Sequence, residues 1–326
     1  MIFTDKIIQP IKFNDGELVL LDQRALPHDV RFIRYKSEIE VAKAIKDMVV
    51  RGAPAIGITA AYGMALSKNP WAAAEILKNA RPTAVDLSNA IEYMIKEIKN
   101  GKDATVAAIE WHEKIIKSTK KISEYGASLL KNKAAVLLHC NAGPLATGGY
   151  GTSLGAVLKA GKSNDIMVYV DETRPRCQGS LTYYELSVAG VRHTVIVDSA
   201  AGFLLRKNKI GAVMVGADRI AKNGDVANKI GTYQLAVLAK ENKVPFYVLA
   251  PLSTFDFSID SGDDIKIEER EESEILQIAG QDIYKKGTTA YNPAFDVTPA
   301  KYITAYVTEY GVHNHISELL KMAGVK

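Results

Sequence analysis

The sequence predicts an α/β protein in two parts: a small N-terminal hairpin plus helical domain over residues 1–130, and a parallel-sheet domain over residues 131–326. Three observations carry this. Beyond Lys133, short apolar runs at 134–138, 166–170, 194–197, 212–215 and 246–249 alternate with helical stretches. Because the runs are continuous rather than alternating, both faces of their sheet must be covered, and helices between successive strands do this. The second part is therefore Rossmann-like. Between residues 37 and 130 apolar residues recur at helical spacing, and ahead of them residues 11–13 and 18–21 flank the turn signal Asn14-Asp15-Gly16, which predicts an antiparallel hairpin.

Ser37 opens S-E-I-E, in which a hydroxyl and a carboxylate three residues later satisfy each other's backbone N–H groups at a helix start. Ile39, Ala42, Ile45, Met48 and Val49 follow at helical spacing, and the helix ends at Arg51-Gly52. Residues 51–63, RGAPAIGITAAYG, place Pro54 in the first turn of a second helix. That turn can offer unpaired N–H groups to an anion with Arg51 alongside, and the same spacing fits a tight helix–helix corner equally well. Ala80-Arg81-Pro82-Thr83 is a non-helical break that presents one arginine. Residues 86–99 and 105–130 then form amphipathic helices, with Lys117, Lys120, Lys121 and Lys131 on a solvated face.

Open parallel sheets bind ligands outside the carboxyl ends of their strands, so the loops there are the informative part. They read His139-Cys140-Asn141, DETRPR over 171–176, Asp198-Ser199, and Gly216-Ala217-Asp218-Arg219. After the turn Asn223-Gly224-Asp225, Asn228-Lys229 adds an amide and a cation ahead of a helix running to about Glu241. Ionisable groups of several kinds gathered at one edge point to a catalytic site. Further on, residues 261–264 read as an exposed loop, and Glu268-Glu269-Arg270-Glu271-Glu272 is an acidic-basic run. Pro299 starts a helix over 300–310. His313-Asn314-His315 reads as a solvated terminus rather than a metal pair, since no third ligand is near in sequence.

Composition narrows the function classes. A chain of 326 residues with 47% apolar residues can bury a large core. The formal net charge of +4 is spread without a long basic block, which points to neither nucleic acid nor membrane binding. No apolar run is long enough to span a bilayer, and the start has no leader-like apolar stretch, so the expected location is cytoplasmic. Cys140 and Cys177 lie far apart in non-motif contexts, which fits neither a disulfide framework nor a CxxC metal site.

The glycine-rich stretch 139–155, HCNAGPLATGGYGTSLG, brings backbone N–H groups beside one cysteine. Its glycines lack the GxGxxG frame of a dinucleotide site. A cysteine there can be a nucleophile, an acid or base, or an inert buried thiol. Asp218 at a parallel position tilts the reading toward chemistry, because a carboxylic acid in an apolar pocket holds its proton near neutral pH. A thiol and a carboxylic acid facing one another can move protons on a sugar carbon and its oxygen without a cofactor or metal. Arg51, Lys229 and helix N-termini can hold a phosphate.

Several segments together resemble the methylthioribose-1-phosphate isomerase family: RGAPAIG at 51–57, ARPT at 80–83, His139-Cys140-Asn141 with ATGGYG at 146–151, DETRPR at 171–176, GADRIAKNGD at 216–225, VANKIGTY at 226–233, PLSTFD at 251–256, Glu268-Glu269-Arg270 and NPAFDVTP at 292–299. The wider family includes ribose-1,5-bisphosphate isomerases and regulatory subunits of the translation-initiation guanine-nucleotide exchange factor. The resemblance implies a cofactor-free aldose–ketose isomerisation of a sugar phosphate in methionine salvage. It implies Cys140 as catalytic thiol and Asp218 as proton donor. It also implies Arg51, Gly52, Ala53, Arg81, Gln178, Asn228 and Lys229 as substrate-binding residues, and a homodimer. It leaves open whether hydrogen moves as a proton through an enediol or as a hydride. Cys177 stands where the family more often has an aliphatic residue, and Ala142 and Pro144 depart slightly from its usual HCNTG pattern; the thiol and the glycines stay in place.

Overall fold

The computed structural model describes residues 8–81, 85–162 and 165–324. Strands Ile11–Asn14 (β1), Glu17–Leu21 (β2) and Phe32–Tyr35 (β3) form an antiparallel sheet, and the expected hairpin turns at Asp15 and Gly16, both at positive φ. Five helices follow: Glu38–Lys46 (α1), Ala53–Ala65 (α2), Pro70–Lys78 (α3), Val85–Lys99 (α4) and Ala104–Ser128 (α5). The capping box is present, Ser37 and Glu40 each bonding the other's backbone N–H. Helix α2 is buried from Ala55 to Met64, and its small residues let α4 close on it: a Cβ on Gly57 would lie 2.7 Å from the Asp86 carbonyl oxygen. The core of this part gathers Ile45, Ile56, Met64, Leu77, Leu87 and Trp111.

The rest is doubly wound. Chain order gives β4 (Ala135–Leu138), α6 (Pro144–Thr147), α7 (Ser153–Ala160), β5 (Met167–Asp171), α8 (Gly179–Ala189), β6 (His193–Ile196), α9 (Ala200–Arg206) and β7 (Ala212–Val215). There follow β8 (Arg219–Ala221), β9 (Val226–Lys229), α10 (Thr232–Glu241), β10 (Phe246–Leu249), β11 (Phe255–Asp256), α11 (Ser273–Leu276), the short pair β12 (Gln277–Ile278) and β13 (Gln281–Asp282), β14 (Phe295–Thr298), β15 (Ala305–Thr308), β16 (Gly311–His313) and α12 (Ile316–Met322). The main sheet has the order β6-β5-β4-β7-β10-β15-β16, parallel except for β16 at one edge. Numbered along the chain, the parallel strands run 3-2-1-4-5-6, the order of nucleotide-binding sheets, so the chain reverses direction between β4 and β7. A second sheet, β11-β8-β9-β14, extends beyond the end of β7.

Two expectations are corrected. Residues 300–310 are not a helix: a 3-10 turn at Ala300–Tyr302 leads into β15, whose four residues are all buried in the main sheet. A run this short, apolar on both faces, cannot be told from a helix segment by periodicity. His313 is not solvated; it is buried on β16 between Thr308 Oγ1 at 3.2 Å and Glu318 Oε2 at 3.3 Å. Among the described residues, no helix is long and apolar enough to cross a membrane.

Candidate active site

The loops after β4 and β7 lie side by side, since Leu138 pairs with Met214 in the register of the two strands. They open into a cavity of about 350 Å³ whose wall includes Cys140, Asp218, Arg51, Gly52, Ala53, Arg81, Gln178, Asn228 and Lys229. The structure thus brings every residue singled out in the sequence to one place. Pro82 and Thr83 of the ARPT segment lie outside the described residues.

On the sheet side, β4 delivers Cys140 with φ at +64°, a left-handed backbone that costs a non-glycine residue roughly 1–2 kcal/mol. The turn is held from both ends: the Cys140 N–H donates to Thr173 Oγ1 at 2.9 Å, and its carbonyl accepts from Thr182 Oγ1 at 2.9 Å. Next to it the buried His139 ring lies between Asp171 Oδ2 at 3.2 Å and the Ile230 carbonyl at 2.8 Å, which ties the end of β4 to the residue after Lys229. Burial opposes a charge on this ring, and Asp171 and the carbonyl more than offset it, so the His139 pKa is raised.

Three ionisable groups facing the cavity, Cys140, Asp218 and Lys229, are driven toward neutrality by burial. Burial pushes the Cys140 thiol up, against the nearby Lys229 ammonium. It also pushes the Asp218 carboxyl up, against Lys229, Arg81 and Arg270. Lys229 is lowered to about 8 for the same reason. Its Nζ donates to the Ala294 carbonyl at 2.8 Å and sits 3.9 Å from the centre of the Phe295 ring, a cation–π contact on β14. A thiol, a carboxylic acid and an amine, each shifted toward its neutral form, therefore face one space.

The helical side is different. Gly52 caps α2 with φ at +96°, and a Cβ there would lie 2.3 Å from the Ala146 carbonyl oxygen, so only glycine fits between α2 and the Cys140 loop. The N-terminus of α2 has no side-chain cap and no acidic residue in its first turn. Arg51 and Arg81 stand half-buried beside it, and partial removal from solvent lowers the pKa of both, Arg51 to about 10. Neither forms an ion pair among the described residues, whereas Arg270 is held by Glu268 at 2.9 Å, Arg176 by Glu274, and Arg219 by Asp256 at 3.6 Å. Two half-buried guanidinium groups with no ion pair among the described residues, at an uncapped helix N-terminus, form an anion seat.

Arg176, Glu268, Arg270 and Phe295 also line the cavity and were not singled out by sequence. Arg270 sits in what reads as a solvated charge run, yet its side chain is only 8% exposed. The signals available were the likeness of Glu268-Glu269-Arg270 to the family pattern and the alternation of Glu268 and Arg270, which puts both on one side of an extended segment.

Fold and cavity define a doubly wound α/β protein with an anion-receptive, proton-handling site at its switch point. Residues 49–315 match the initiation factor 2 subunit family, and the chain belongs to that family. A methylthioribose-1-phosphate isomerase of Caldicellulosiruptor saccharolyticus is 48% identical, covering 92% of this chain and 94% of the relative. The crystal structure of 5-methylthioribose 1-phosphate isomerase from Pyrococcus horikoshii superposes with a TM-score of 0.89 at 39% identity, covering 97% of this chain and 96% of that one. A crystal structure described as translation initiation factor eIF-2B, subunit delta, from A. fulgidus gives 0.87 at 39% identity, covering 97% and 100%.

Proposed function

We propose that this protein is an aldose–ketose isomerase that converts 5-methylthioribose 1-phosphate to 5-methylthioribulose 1-phosphate, a step of methionine salvage. The observation that carries the reading is the meeting of the half-buried Cys140 and Asp218 in one cavity with Arg51 and Arg81, neither of which has an ion pair among the described residues. The curated relatives named for this activity support it.

The phosphate on the anomeric oxygen prevents the sugar ring from opening as a free hemiacetal would. Opening requires the C1–ring-oxygen bond to break and the ring oxygen to gain a proton; over the reaction C2 loses a hydrogen, C1 gains one, and the C2 hydroxyl becomes the ketone. Asp218, whose hold on its proton is strengthened by burial, is the proton donor, and Cys140 stabilises the transition state or moves the second proton. Arg51, Arg81, Lys229 and the N–H groups at Gly52 and Ala53 hold the phosphate, while Gln178 and Asn228 orient the sugar.

Against a regulatory-subunit role, the thiol, the acid and the anion seat are all present together. Against a ribose-1,5-bisphosphate substrate, the guanidinium groups of Arg176, Arg219 and Arg270 beyond this single seat are already paired, and Ile56, Val85, Leu181, Ile265 and Ile267 give the wall an apolar part suited to a methylthio group. An assay of both sugar phosphates side by side, reading ketose formation, decides. Turnover of the bisphosphate with methylthioribose 1-phosphate inert would overturn the assignment.

To the same proposal belong a cytoplasmic homodimer and a division into residues 1–130 and 131–326. The separate hydrophobic clusters on either side support the division. Exposed Val195 on the outer strand β6, with Val197 just beyond it, supports association, which sedimentation velocity would measure.

A further inference from the structure

Helix α8 carries two polar residues one turn apart, Thr182 and Glu185, both buried and both turned to the loop that follows Cys140. Thr182 Oγ1 donates to the Cys140 carbonyl at 2.9 Å and accepts from Asn141 Nδ2 at 3.0 Å. One Glu185 oxygen accepts from the same Asn141 amide at 2.7 Å, and the other accepts from the Leu145 N–H at 2.8 Å, at the start of α6. The fit is close: a Cβ on Gly143 would come within 2.4 Å of Glu185 Oε2, so the loop backbone rests against the carboxylate. Four hydrogen bonds thus fasten residues 140–145 to one turn of α8, and they begin at the residue whose left-handed backbone aims the thiol.

We propose that Glu185, acting with Thr182, is a positioning residue for Cys140, and that it works only as a carboxylate. This rests on the reading of Cys140 as a catalytic thiol. An ionised carboxylate is acceptor-only, which matches neighbours that are both N–H donors. A protonated Glu185 either sets its own O–H against one of those donors or turns the Asn141 amide over to reach its Oδ1, which has no partner among the described residues; that turn gives up the bond to Thr182, so the loop loses a bond either way. The groups packed on it are Asn141, Gly143 and Leu145 from the loop and α6, Leu154 from α7 and Thr182 from its own helix, with the neutral Tyr184 nearby; no charged group is among them. Burial accordingly raises its pKa to about 7, so the switch falls within the working range.

The test uses the full-length protein and methylthioribose 1-phosphate. Glu185→Gln keeps the shape but sets its amide against a donor. Its kcat is expected to fall roughly 10- to 100-fold, the scale set by a displaced reacting group. Its KM should stay within about twofold of wild type, because the anion seat is on α2. The fall in wild-type kcat below about pH 7 should flatten in the variant. Wild-type kcat with an unchanged acid limb would overturn the proposal, as would a loss confined to KM. If Glu185→Gln fails to fold, Thr182→Val removes the tie to the Cys140 carbonyl without touching the charge, and an unaltered kcat there overturns it equally. Absence of turnover in the wild-type protein would instead overturn the isomerase reading and is seen before any variant is made.

Discussion

The two sides of the cavity hold charge in opposite ways. On the sheet side, Cys140, Asp218 and Lys229 are groups that can take up or release a proton, and burial has moved each toward its neutral form. On the helical side, Arg51 and Arg81 remain charged however deeply they are buried, and the α2 N-terminus adds fixed N–H donors. One side is suited to moving protons and the other to holding an anion still. Variants of Cys140 and Asp218 on the first should act on kcat, and variants on the second on KM, with Lys229, which reaches the phosphate from the sheet side, acting on KM as well.

The largest effect should come from Asp218→Asn, which keeps the shape but cannot donate a proton. A loss of roughly 10³-fold in kcat is expected, with substrate binding retained by calorimetry. Unchanged turnover would remove Asp218 from the chemistry. Cys140→Ser should cost about 10²-fold in kcat, again with little change in KM. On the other side, Arg51→Ala or Arg81→Ala removes a charge-assisted hydrogen bond of about 2 kcal/mol and should raise KM about 30-fold. A loss in kcat alone would erase the distinction between the two sides.

Two pH effects are smaller. Lys229 titrates at about 8, so its ammonium is present below that pH and lost above it; KM should climb as pH rises through 8. Stability should run the other way from activity at mildly acidic pH. Glu185 and Asp86 are raised to about 7 and Asp171 to about 6, all by burial. Between about pH 4.5 and 7 the folded protein keeps protons that the unfolded chain has released, so stability is greatest at the low end of that window and falls as pH rises through the folded values. A thermal midpoint higher at pH 7.5 than at pH 5.5 would contradict this.

Much of this arrangement was legible in the sequence. The strands of the parallel sheet announced themselves as short continuous apolar runs, and the loop after each run carried its ionisable residues in view. Strand order was not legible, because pairing between β4 and β7 joins residues far apart in the chain and no local pattern records it. The misread segment at 300–310 shows the limit of periodicity, where a four-residue strand buried on both faces leaves no period to count. Arg270 and Phe295 escaped because they reach the cavity from the irregular excursion between β10 and β15, where burial is decided by distant partners. Glu185 escaped for another reason: a lone acid in a helix reads as solvated until the loop that covers it is placed.

Helix α5 has a consequence for how the molecule comes apart. Its first half contributes Ala107, Trp111 and Ile115 to the N-terminal core, while Ile122 belongs to the core of the sheet. Along the same helix Thr119 accepts from the Tyr150 N–H at 3.1 Å, and Ser123 donates to the Gly151 carbonyl at 3.0 Å. One 25-residue rod is therefore shared by both halves and fastened to the glycine-rich loop between them. Neither half can melt without stripping contacts from a helix the other needs, so heat or denaturant should find a single cooperative unit where the sequence shows two.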